Sequence, residues 1–139
     1  MNPVVKAEIL KKARTLIGTS YKDLDCSHFV HKAYDMAGFK YPYHNTATFN
    51  LLTDYFIEVT EVEPGDVILY TGHMGLHDPD GCNAMNTTEC QKLKGEARVL
   101  SARSGNNLGA EYGRSAWFGT VQKMYRWRDD VPTMPPSAP

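Results

Sequence analysis

Hydrophobic positions change their spacing part-way along the chain. Over residues 3–17 they recur at helical intervals, with Val5, Ile9, Ala13 and Leu16 on one face. Pro3 suits a first helical position and Gly18 supplies the stop. Lys6, Lys11, Lys12 and Arg14 read as the solvated face of this helix. A short connection, residues 19–24, carries Tyr21 into a second helical stretch. There Phe29, Val30, Ala33, Tyr34 and Ala37 keep the same spacing, Asp25 stands as N-cap and Gly38 as stop. Residues 39–45 are aromatic, contain Pro42 and predict a loop; Thr46 caps a third predicted helix with Phe49, Leu52 and Tyr55 near one side.

From Phe56 the pattern becomes that of strands. Residues 56–60 look extended, and Glu63-Pro64-Gly65-Asp66 predicts a type II turn. Val67-Ile68-Leu69-Tyr70 is an apolar run between turn signals, a buried strand, and Thr71-Gly72 turns the chain into a strand over 73–77. Residues 78–96 are polar and read as an inserted loop. Residues 98–103 predict a strand, residues 104–115 a Gly- and Asn-rich loop, and residues 121–128 a last strand with Tyr125 and Trp127 on one face. Helices first and antiparallel strands afterwards predict one α+β domain over 1–128, the second helix packed on the sheet. The Pro-rich residues 129–139 predict a disordered tail.

The 139 residues carry a formal net charge of −1 and no cluster of Lys and Arg, which argues against nucleic acid as the main partner. No apolar run approaches membrane-spanning length, and the N-terminus lacks the apolar core of a secretory signal. The expectation is a cytoplasmic protein, or one that leaves by a route reading no such signal, or a chain that starts after a signal was removed. Of three cysteines, Cys82 and Cys90 lie in one polar segment and either close a small loop or stay free thiols. Cys26 is left over in both cases.

Cys26 falls in the first turn of the second helix, where unpaired N–H groups and the helix dipole favour the thiolate, the nucleophilic form. Such a nucleophile needs a base, and the base an orienting group. Among five histidines, His28 and His31 follow Cys26 on other sides of its helix, and His44 sits in the aromatic loop. Alternation puts His73, Gly75 and His77 on one face of a strand. His73, beside the preceding turn, is the better base. A metal site at His73, His77, Asp78 and Cys82 fits no familiar zinc spacing, so no metal or cofactor is expected.

Asp-Cys-Ser-x-Phe-Val, then Pro-Gly-Asp-Val-Ile-Leu-Tyr, then His-Met-Gly-Leu resembles the NlpC-type cell-wall endopeptidases, papain-like cysteine peptidases of bacteria. The likeness covers roughly residues 5–128, with its motifs in Tyr21–Val30, Pro64–Tyr70 and His73–His77. It implies a papain-like fold, Cys26 as nucleophile, His73 as base, and Tyr21, Asp25 and Ser27 in the substrate site. Its third catalytic position falls on Ser101, a weaker orienter than a carboxylate or amide, with Asn106 or a plain dyad as alternatives. His28 replaces the family's glycine and is expected to reshape the cleft or hydrogen-bond substrate. The implied substrate is the peptide stem of bacterial peptidoglycan, cut between D-glutamate and meso-diaminopimelate or at a neighbouring cross-link.

Domain size and the missing signal suggest an antibacterial effector injected by a secretion machine, type VI for example, with a cognate immunity protein; a phage-type lysin is the other setting. A monomer is expected. Different classes of reading are an acyltransferase or thioesterase on the same fold, and a non-catalytic binding module.

Overall fold

The computed structural model describes residues 3–94, 97–105 and 108–136, with side chains from residue 6 onward. Among these residues four helices, α1 (Pro3–Thr15), α2 (Cys26–Met36), α3 (Gly81–Met85) and α4 (Thr88–Leu93), accompany six strands: β1 (Phe56–Val59), β2 (Val67–Tyr70), β3 (His73–His77), β4 (Val99–Arg103), β5 (Gly109–Gly113) and β6 (Val121–Trp127). The strands form one sheet in the order β1-β6-β2-β3-β4-β5, every neighbouring pair antiparallel. The α+β architecture expected from the hydrophobic pattern is the one observed.

The second helix starts where its sequence says it should. Asp25 has extended backbone angles and its side chain accepts from the His28 N–H at 3.0 Å, satisfying a free donor of the first turn. Cys26, Phe29, Val30, Ala33 and Tyr34 form the buried stripe. At the other end the Phe39 N–H reaches the Tyr34 carbonyl at 2.9 Å and the Gly38 N–H reaches that of Asp35 at 3.0 Å. This termination requires a left-handed residue, and Gly38 has φ +92°. α2 packs on β3 and β4, and α1 packs on α2.

The turn before β2 is as predicted: the Asp66 N–H donates to the Glu63 carbonyl at 3.0 Å and Gly65 has φ +90°. Asp66 is fully buried and receives Lys6 Nζ at 3.2 Å, Arg126 Nη2 at 2.9 Å and the Glu63 N–H at 2.8 Å. Asp78, after β3, is likewise buried and takes both Arg14 Nη2 at 2.7 Å and the Tyr112 hydroxyl at 2.6 Å. Two carboxylates thus hold α1 to the sheet. Lys6 and Arg14 are not the solvated positions expected: their side chains are 12% and 28% exposed. Lys12 is also buried. The side chain of Val5 lies outside the described residues.

Four expectations are corrected. No third helix grows from Thr46; the segment holds a single 3-10 turn, Phe49–Leu51. Asn45 Oδ1 takes the Thr48 N–H and hydroxyl, both at 3.0 Å, so its side chain competes for the backbone. The 78–96 insertion is not plain loop but contains α3 and α4, joined by the Cys82–Cys90 disulfide. The 104–115 segment contains β5, which pairs with β4 from Val99↔Gly113 to Arg103↔Gly109. The Pro-rich tail, expected to be disordered, is held at two points: Val131 accepts from Trp127 Nε1 at 3.2 Å, and the Met134 N–H donates to the Gly38 carbonyl at 2.8 Å.

Replacing Asp66 by Ala removes the buried carboxylate between Lys6 and Arg126 and leaves them the more exposed Glu63 as acidic partner. It is expected to destabilise the domain by about 3 kcal/mol or more, read as a lower urea midpoint at unchanged m-value.

Candidate active site

Cys26 is a free thiol, 6% exposed, at the start of α2. Its polar neighbour is Thr46, with Oγ1 3.7 Å from the sulfur. Around that helix start the four residues expected to bind substrate come together. Asp25 Oδ1 accepts from Ser27 Oγ at 3.2 Å and pairs with His28 Nδ1 at 2.7 Å. These hydrogen bonds hold the Asp25 carboxyl below its ordinary pKa against the opposing effect of burial. Tyr43, not singled out by the sequence reading, closes the group. Its hydroxyl lies 2.6 Å from Ser27 Oγ, and its ring stacks on His28 with centroids 4.1 Å apart. Tyr21 is near both Cys26 and Asp25. Burial first, then those two groups, raise its hydroxyl pKa.

The second expected half of the site is also built. His73 Nε2 and Ser101 Oγ are 3.1 Å apart, so Ser101 stands beside the imidazole. Ser101 is fully buried, on β4. The His73 ring stacks on Phe118 with centroids 4.3 Å apart and planes 18° apart. Burial, and secondarily the nearby Arg103, push the His73 pKa down to about 4. The imidazole is therefore neutral at pH 7. Asn106, the other suggested orienter, lies outside the described residues.

The two halves do not meet. Cross-strand partners share a face, and Tyr70 pairs with His73, Ile68 with Gly75, and His77 with Val99. On this face Ile68, Tyr70 and Val99 form a small apolar cluster, flanked by Phe118 and Met124. The large core, which contains Cys26 and the buried stripe of α2, uses Val67, Leu69, Met74, Leu76 and Leu100 from the same strands. These are the alternate positions. α2 and its thiol therefore cover one face of β3, and His73 and Ser101 stand on the other. Neither a hydrogen bond nor a ring contact joins Cys26 to His73 among the described residues. The expected Cys26–His73 contact is corrected on this geometry: alternation grouped His73, Gly75 and His77 properly, but the bulky Met74 and Leu76 are the residues that face the helix.

The other histidines are accounted for. His31 Nε2 lies 3.0 Å from the Tyr41 carbonyl. His44 Nδ1 lies 2.9 Å from Thr48 Oγ1, on the loop that delivers Thr46 to the sulfur. Two members of the possible metal set are engaged elsewhere: Cys82 is in a disulfide and Asp78 is bound by Arg14 and Tyr112. Among the described residues no group of three His, Cys, Asp or Glu could hold a metal ion.

The sequence profile described as the NlpC/P60 family matches residues 15–124. No curated protein and no solved structure matches the chain.

The depressed His73 pKa has a sign. The unfolded chain binds this proton near pH 6.5, the folded one only near pH 4. Stability from the neutral imidazole is therefore present above pH 6.5 and is lost as pH falls toward 4. The loss should reach about 2–3 kcal/mol. Burial lowers His77 as well, so the measurement compares urea midpoints of the parent and His73→Gln between pH 7 and pH 4. The variant should show the shallower decline.

Proposed function

We propose that this chain, which belongs to the NlpC/P60 family, hydrolyses peptide bonds in bacterial peptidoglycan with Cys26 as nucleophile. The family is one of cell-wall peptidases and amidases, typically with a cysteine at the reacting centre. The observation that carries the choice of residue is the single free thiol, set in the first turn of a helix capped by Asp25. The N–H groups at a helix start can stabilise the charge that develops on an attacked carbonyl oxygen.

In this reading the sulfur adds to the scissile carbonyl. The tetrahedral intermediate collapses, the amine leaves with a proton, and an S-acyl enzyme remains. Water then attacks that thioester and releases the carboxylate and the thiol. Tyr21, Asp25, Ser27 and His28 form the rim on which the peptide stem lies. A D-glutamyl bond to meso-diaminopimelate is the substrate that the resemblance implies.

The base remains a proposal in two forms. His73 with Ser101 carries the family pattern, and its meeting with Cys26 requires a geometry other than the one described above. His44 is the second form, favoured by one observation: it lies on the loop whose Thr46 touches the sulfur. For the setting we propose delivery into the periplasm as an antibacterial effector restrained at home by an immunity protein. The Cys82–Cys90 bridge supports an oxidising destination.

Purified peptidoglycan incubated with the protein should release new muropeptides, identified by mass spectrometry. Cys26→Ala should release none; equal release by this variant would remove the thiol from the reaction. His73→Ala should lose about 10²-fold or more if it is the base. Full activity in His73→Ala together with loss in His44→Ala would transfer the role.

A further inference from the structure

On the sheet face away from α2 there is a second concave site, of about 350 Å³, lined by His73, Arg103, Ser104, Gly105, Trp117 and Phe118. Its walls are of two kinds. Phe118 and the His73 ring stacked on it make a flat side. Trp117, 47% exposed, makes another. The Arg103 guanidinium lies over the Trp117 ring, 4.9 Å from its centroid, and that of Arg114 lies 5.6 Å from the same ring.

Arg103 is fixed rather than floppy. Its Nη1 donates to Glu89 at 3.2 Å and to the Tyr112 carbonyl at 2.9 Å. Its side chain is largely buried, 14% exposed. Its Nε and Nη2 take no part in those bonds. A planar guanidinium already held by one nitrogen is suited to offering its remaining N–H groups to a carboxylate. Glu89 takes one nitrogen of Arg103, and Arg114 stands beside the same indole. An exposed indole between two cations, beside a cleft with few convergent polar groups, has the composition of a ligand site rather than of a solvated surface.

We propose that this cleft binds a peptide carboxylate, with Arg103 taking the carboxylate and Trp117 covering the adjoining chain, at a site distinct from Cys26. The choice of a peptide carboxylate over another organic anion rests on the cell-wall reading, since peptidoglycan stems carry free carboxylates. The site itself rests on the side chains. It would hold a stem by one carboxylate while a bond elsewhere on the same wall polymer meets Cys26, so the two sites raise each other's effective concentration.

The test uses the full chain and two synthetic probes. One is an N-acetylated L-alanyl-D-glutamyl peptide with free carboxylates, and the other is the same peptide as its carboxamide. Binding to the Cys26→Ala protein is followed by titration calorimetry. The carboxylate should bind at least tenfold tighter than the amide, and added salt should narrow the difference. Arg103→Gln should remove the preference, and Trp117→Ala should weaken both probes about five- to tenfold. Trp117 is exposed, so that variant keeps its fold even if loss of the Glu89 contact makes Arg103→Gln unstable. Equal affinity for the two peptides, or no binding of either, would overturn the proposal whatever the hydrolysis assay shows. Carboxylate-selective binding by a parent protein that releases no muropeptides would leave this cleft standing and remove the hydrolase reading.

Discussion

A strand sends successive side chains to opposite faces, and a helix can cover only one of them. In β3 that rule separates Met74 and Leu76, which lie in the large core with α2, from His73, Gly75 and His77. Everything near the candidate chemistry follows from this division. The thiol belongs to the helix side, with Thr46 and the Asp25 network. The imidazole belongs to the other side, with Ser101, Phe118 and the Arg103–Trp117 pair. Each half has an internal logic, and the sheet lies between them.

The helix layer is held down by charge as well as by packing. Asp66 and Asp78 are both fully buried, both follow turns or strand ends, and each binds a basic residue of α1. A buried carboxylate without a partner would cost several kcal/mol, so each of these fixes its cation strongly. That fixes where α1 lies, and α1 in turn packs on α2. The position of Cys26 therefore depends on two carboxylates far from it in sequence.

Most of the fold was legible. The caps and stops of α2, the type II turn at Pro64-Gly65 and the two-residue turn at Thr71-Gly72 are local, and local chemistry announces them. What could not be read was long-range. Lys6 and Arg14 look like surface residues until Asp66 and Asp78 are known to lie beneath them. β5, Gly-Ala-Glu-Tyr-Gly, has glycines at both ends and becomes a strand through pairing with β4. Trp117 and Arg103 are 14 positions apart and meet only because β5 returns the chain. The face of His73 was partly legible: Val67, Leu69, Met74 and Leu76 are the bulky alternate positions. The resemblance placed the histidine opposite Cys26; the packing of those four side chains placed it elsewhere.

Bringing His73 to Cys26 is not a matter of rotamers. A side chain changes faces only if its strand slips by one residue or turns over. Either move would take Met74 and Leu76, both fully buried, out of the core. Exposing them would cost about 1.5–3 kcal/mol each, and His73 and His77 would enter apolar surroundings in their place. The sum is comparable with the whole stability of a domain of this kind. A change at the thiol's own side is cheaper if it is confined to the loop over 44–48, ahead of the buried Phe49: that stretch is held by turn and side-chain hydrogen bonds, and it already brings Thr46 to the sulfur. On energetic grounds a base for Cys26 is more readily supplied by movement of that loop, which carries His44 at its head, than by inversion of β3.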